Sequence, residues 1–137
     1  MKRISLEAKI ENIPAATAFV EEQLEALDCP MKAMMLIQVA IDEIFTNIAS
    51  YAYAPGSGSA DVEFDYEEET GTVSITFTDS GIPFDPLAKE DQDITLSAEE
   101  RQIGGLGIYM VKESMDDVKY EYRDGKNILT ICKKLAE

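Results

Sequence analysis

Apolar and polar positions alternate with period two at the start of the chain. Ile4, Leu6, Ala8 and Ile10 fall on one side, and Ser5, Glu7 and Lys9 on the other, which predicts a half-buried strand over 4–10. Asn12-Ile13-Pro14 reads as a helix entry, and Ala15, Phe19, Leu24 and Leu27 recur at roughly helical spacing over 15–27. Pro30 suits the first turn of a second, longer helix that runs to about residue 53. Pro55-Gly56-Ser57-Gly58-Ser59 breaks it. Residues 60–66 and 72–78 alternate on either side of 67–71 and predict a hairpin. From 79 to 105 there is no periodicity, and so long a connection inside a compact domain is functional or disordered. A short helix over 106–115 and a second hairpin, 117–122 with 127–133, complete the pattern. No repeat, low-complexity tract or linker divides the chain. The order predicts one α+β domain over 1–137: a two-layer sandwich, a mostly antiparallel mixed sheet with helices on one face.

Charge narrows the function classes. Lys and Arg number 12 against 27 Asp and Glu, a net charge of −15. That field repels phosphate backbones and anionic membranes, so neither nucleic acid nor membrane is an expected partner. A bound polyphosphate would need local stabilisation by a cation and backbone amides. Cys29 and Cys132 form no Cys-x-x-Cys pair, which predicts two reduced thiols and no zinc. The first residues carry no signal-peptide run and no segment reaches membrane-spanning length, so a cytoplasmic protein is expected. Histidine is absent, which excludes a histidine nucleophile, ligand or phospho-acceptor within this sequence.

Four stretches carry candidate chemistry. In the long helix, Met34, Ile37, Ile41, Ile44 and Ile48 form the main apolar stripe, and Gln38, Asp42 and Thr46 the most polar face. Glu43 and Asn47, four apart, share a different face with Leu36, Val39, Ala40 and Ser50. They are either a solvated pair or two groups over one pocket. Asp79-Ser80-Gly81 follows a strand. It forms either a local Asx turn or a fixed carboxylate that accepts from an exocyclic amine, with Gly81 admitting a flat ring. Gly104-Gly105-Leu106-Gly107 opens a helix and is either a hinge or a phosphate cradle of N–H groups. It lacks the Lys and Ser/Thr of the GxxxxGK[ST] loop. Thr130 lies in the last strand.

The order of these stretches is more specific than any one of them. A helical Glu-x-x-x-Asn, then Asp-x-Gly, then a glycine-rich loop and helix, then a strand Thr resembles the GHKL ATPases over nearly the whole chain. The runs ERQIGGLGIYMVKESMDDVKYEY and IDEIFTNIASYAY look like the bacterial anti-sigma-factor serine/threonine kinases, which often carry a His near the position of Tyr51. The resemblance implies a Bergerat-type ATP-binding fold with ATP and Mg²⁺ as cofactors. It assigns Glu43 as general base, Asn47 as Mg²⁺ ligand, and Asp79 as acceptor of the adenine amino group with Gly81 behind the ring. Gly104, Gly105, Leu106 and Gly107 would wrap the phosphates, Thr130 would support the adenine, and about 80–105 would be the ATP lid. Arg101 and, more weakly, Lys89 are candidate phosphate or partner contacts.

The implied reaction transfers a γ-phosphoryl group to a Ser or Thr of an anti-sigma antagonist protein. A sigma factor is a second implied partner, and a homodimer is compatible with a first strand at a sheet edge. The alternative is a non-catalytic, ATP-dependent protein-binding switch, which would not need a base at Glu43. A histidine-kinase catalytic half would have to phosphorylate a separate chain, and a gyrase- or MutL-type ATPase is disfavoured by the expected lack of a second domain.

Overall fold

The structure is a computed structural model that describes residues 2–53, 56, 58–83 and 105–135, with the backbone alone over 105–109. The period-two stretches become strands β1 Lys2–Glu7, β2 Ser59–Glu67, β3 Thr72–Asp79, β4 Asp117–Arg123 and β5 Lys126–Lys134. They form one sheet in the order β1-β2-β3-β5-β4. All four neighbouring pairs are antiparallel, so no parallel pair is present among the described residues, where a mixed sheet was expected. One face carries Val62, Phe64, Val73, Ile75, Phe77, Leu129 and Ile131, all buried. The other carries polar pairs such as Thr76 with Thr130 and Ser74 with Cys132.

Helices α1 Ile13–Ala26, α2 Met31–Asn47 and α3 Gly105–Ser114 join the apolar face. Val20 and Leu24 from α1, Ile37, Ile41, Ile44 and Phe45 from α2, and Val111 from α3 share a single core with the sheet residues. Each such large side chain contributes about 1.5–3 kcal/mol by leaving water. Gln38 lies on the face of α2 expected to be most polar, but it is part-buried and donates to Glu21 Oε1 of α1 at 2.5 Å. Asp42 alone of that face is exposed.

Three local devices set the path of the chain. Asp28, at φ 53°, ends α1, with Asp28 N–H donating to Glu25 O and Cys29 N–H to Leu24 O. That is a Schellman pattern with Asp in the usual glycine place. Asp124 and Gly125, at φ 55° and 76°, give the two-residue turn that matches strand twist between β4 and β5. A π-helical turn, Ile48–Ala52, prolongs α2.

The first strand and the longest helix also differ from expectation. The first strand ends at Glu7, because Ala8 N–H turns to Gly58 O and Ile10 begins a 3₁₀ turn where it is 56% exposed. In addition, Met31–Ala52 does reach spanning dimensions: 22 residues, with mean hydropathy 1.2. Its apolar stripe packs into the core of the domain, which accounts for that composition.

Candidate functional site

Where α2 ends over the sheet, a cleft opens. Ile44, Ile48, Phe77 and Leu129 give it apolar walls, and Asn47, Asp79 and Asn127 supply polar groups. Tyr51 and Tyr120 complete the lining with Ala52 and Ile82. A largely apolar cleft with a few convergent polar groups is the usual form of a small-molecule site. Sheet parity explains the placement. Asp79 ends β3 directly opposite Asn127 of β5, and both point to the helix-covered face. They are the two buried polar residues among those described, 6% and 5% exposed.

Asp79 is held from two sides. Its Oδ1 accepts from Gly81 N–H at 2.9 Å and from Asn127 Nδ2 at 3.0 Å. Among the described residues no hydrogen bond reaches Oδ2. The Asx turn and the pocket carboxylate are therefore one arrangement: the turn fixes one oxygen and leaves the other for a donor. Asn127 Nδ2 also donates to Ile82 O at 2.8 Å, and the Tyr120 hydroxyl donates to Asn127 Oδ1. The Tyr53 hydroxyl donates to Ser59 O at 2.6 Å and accepts from Ser80 N–H at 2.7 Å, which ties the residue after Asp79 to the start of β2.

Gly81 lacks a side chain for a different reason from the one expected. A Cβ there would lie 2.1 Å from Ala52 O, with Ala52 C and Cβ also under 3 Å. The glycine lets the end of β3 abut the π turn, where Ile82 N–H donates to Ala52 O at 2.9 Å. The space behind Gly81 is thus filled by the protein itself.

Asn47 is the last residue of α2 and lines the cleft. Glu43 lies one turn earlier, half-buried and outside the cleft lining. Burial, and then the neighbouring Asp42 charge, push its carboxyl above the ordinary 4.5. Gly105, Leu106 and Gly107 form the first turn of α3, where N–H groups have no intrahelical partner. Gly104, Arg101 and Lys89, with most of the expected lid, lie outside the described residues.

Thr130 is not brought to the cleft. Leu129 and Ile131 point into the core, so Thr130 between them faces the opposite side of the sheet, its hydroxyl 3.0 Å from that of Thr76. The polar residue that β5 supplies is Asn127, three positions earlier and of the correct parity. The signal that locates it is the apolar parity of Leu129 and Ile131, which also excludes Thr130. Among the described residues no group of three His, Cys, Asp or Glu gathers to hold a metal.

Comparison with known proteins bears on this geometry. A family model described as "Histidine kinase-like ATPase domain" matches residues 6–133. The chain is 30% identical over 100 residues to the serine/threonine-protein kinase BtrW of Bordetella bronchiseptica, spanning 73% of this chain and 70% of that one. It is 27% identical over 97 residues to the serine-protein kinase RsbW of Listeria monocytogenes, spanning 68% of this chain but 61% of that one. In fold it is similar to the RsbU and RsbW domains of Rv1364c from Mycobacterium tuberculosis. There the TM-score is 0.70 at 16% identity, covering 100% of this chain and 33% of the other. The SiaB–SiaC complex from Pseudomonas aeruginosa gives a TM-score of 0.59 at 17% identity, covering 95% of this chain and 88% of the other.

Proposed function

The chain belongs to the histidine kinase-like ATPase domain family, and from that premise we propose that it is an ATP-dependent serine/threonine protein kinase whose acceptor is a partner protein. The observation that carries this reading is the half-fixed Asp79 carboxylate in the lining of an apolar cleft that Asn47 also lines. Adenine presents an exocyclic amino group and an apolar ring, and the two features match an unengaged carboxylate oxygen and the walls of Ile44, Ile48, Phe77 and Leu129.

Mg²⁺ fits this site as a phosphate-borne ion. It keeps several waters and takes few protein ligands when phosphates supply the rest, and the Asn47 side-chain oxygen offers one hard ligand without a carboxylate cluster. When bound, it would neutralise charge on the polyphosphate. The glycine N–H groups at the start of α3, Gly105 to Gly107, would donate to the same phosphates, with Gly104 preceding them. This arrangement supplies positive potential locally in a chain of net charge −15.

In the transfer itself a Ser or Thr hydroxyl oxygen of the partner bonds to the γ-phosphorus. The bond from that phosphorus to the bridging oxygen breaks, and ADP departs with the electron pair. Glu43 takes the hydroxyl proton. Its raised affinity for protons suits that role, since a base works best when its proton affinity approaches the working pH. The relatives' names, serine- and serine/threonine-protein kinase, support the same class of acceptor. An anti-sigma antagonist as acceptor and a sigma factor as second ligand follow from the resemblance of the ERQIGGLGIYMVKESMDDVKYEY run.

The test is incubation with γ-labelled Mg-ATP and a candidate antagonist, followed by phosphosite mapping. Label on a partner Ser or Thr is expected. Tight ATP binding with no transfer to any partner would favour the non-catalytic switch.

A further inference from the structure

Asn127 and Tyr120, both in the cleft lining, form a polar relay onto Asp79. We infer that Asn127, oriented by Tyr120, is a positioning residue that makes the cleft discriminate a 6-amino purine from a 6-oxo purine. The inference rests on the adenine reading of the cleft.

Both amide protons of Asn127 are committed, one to Asp79 Oδ1 at 3.0 Å and the other to Ile82 O at 2.8 Å. Its carbonyl oxygen accepts from the Tyr120 hydroxyl. That last bond fixes which way the amide faces. Flipped, the amide would set its oxygen against the Asp79 carboxylate and its NH₂ against a hydroxyl that must then turn its proton away. Tyr120 is three strand positions from Arg123, where the hairpin turns, and pairs with Leu129 in register, so its hydroxyl reaches Asn127 diagonally across β4 and β5. Each member is held by a different strand: Asp79 by β3, Asn127 by β5 and Tyr120 by β4.

The consequence is for selectivity rather than for gross affinity. Asp79 Oδ1 takes two donors, one from the Gly81 backbone and one from Asn127, so the carboxylate cannot rotate without losing both. Asp79 lines the cleft, and its other oxygen is left as an acceptor with a fixed direction. An amino group at the purine 6-position meets it as a donor. A 6-oxo group meets it lone pair to lone pair, and a carboxylate that cannot turn away keeps that repulsion in full. Without the relay, Gly81 alone holds the carboxylate, which is then free to swing and tolerate the oxo group.

Calorimetric titration of Mg-ATP and Mg-ITP into the wild-type chain, Asn127→Ala and Tyr120→Phe tests this. Tyr120→Phe keeps the ring and removes only the hydroxyl, so it addresses the relay even where Asn127→Ala fails to fold. The preference for ATP over ITP is expected to shrink about tenfold in Asn127→Ala and roughly three- to fivefold in Tyr120→Phe, the scale of one or two buried hydrogen bonds. A merely structural role would weaken both nucleotides alike and leave their ratio unchanged, and that result in Tyr120→Phe overturns the inference. A wild-type chain that binds neither nucleotide overturns the adenine reading itself, and the inference with it.

Discussion

Replacing Gly81 by Ala tests how the cleft is built. The added methyl carbon would sit 2.1 Å from Ala52 O, 2.5 Å from Ala52 C and 2.6 Å from Ala52 Cβ. Two of those atoms are backbone, and they belong to the π turn that closes α2, so no side-chain rotation relieves the clash. The end of β3 and the turn must separate by about an ångström to reach ordinary contact. Overpacking of this kind costs about 1–3 kcal/mol, and loss of the Ile82 N–H to Ala52 O bond adds about 1 kcal/mol. Gly81→Ala should therefore destabilise the fold by about 2–4 kcal/mol in urea denaturation. It should also weaken adenine-nucleotide binding, because the Gly81 N–H that fixes Asp79 moves with it. Gly125→Ala is the control: its φ of +76° costs an L-residue about 1 kcal/mol, nothing lies within 4 Å of its Cβ, and nucleotide binding should be unaffected. A Gly81→Ala chain within about 0.5 kcal/mol of wild type would refute the close approach of β3 to the π turn.

Asp79→Asn should weaken ATP binding by about 1–3 kcal/mol in a calorimetric titration, the scale of a lost charge-assisted hydrogen bond; unchanged affinity would remove the adenine assignment. Asn47→Ala, or chelation of Mg²⁺, should lower ATP affinity by more than about tenfold, whereas Asp42→Ala, exposed on another face, should change little. Glu43 gives a pH signature. Because burial and Asp42 raise its proton affinity in the folded state, its contribution to stability is full below 4.5 and is lost as pH rises through the raised value. Glu43→Gln should thus be more stable than wild type at neutral pH, with the gain vanishing by about pH 4; a gain that grows on acidification would contradict the shift.

Much of the fold was legible because period-two and helical patterns were uninterrupted. The 72–78 alternation became β3 with its last residue, Asp79, on the buried face. The Asp124-Gly125 turn, the Pro30 helix start and the breaker after residue 53 all reflect local backbone chemistry, which sequence carries directly. The site was less legible where partners are distant in sequence. Asn127 lies 48 residues from Asp79, and only the β3–β5 register brings them together. Gly81 looked like room for a ligand because its neighbour, Ala52, arrives from another element. Thr130 was misassigned although Leu129 and Ile131 already marked its parity as outward. Glu43 and Asn47 are four apart on α2, but the cleft takes Asn47 alone into its lining, since helix spacing does not say where the sheet opens.

The central claim is that Glu43 is the base for phosphoryl transfer, and a single-turnover measurement tests it most directly. Wild-type chain and Glu43→Ala are each saturated with γ-labelled Mg-ATP and mixed with the acceptor protein, and the appearance of phosphoserine or phosphothreonine is followed in time. ATP affinity should be nearly unchanged, because the proposal gives the holding to Asn47, Asp79 and the glycine amides. The transfer rate should fall about 10²–10⁴-fold, the usual effect of a positioned proton acceptor. Transfer by Glu43→Ala at the wild-type rate would contradict the mechanism.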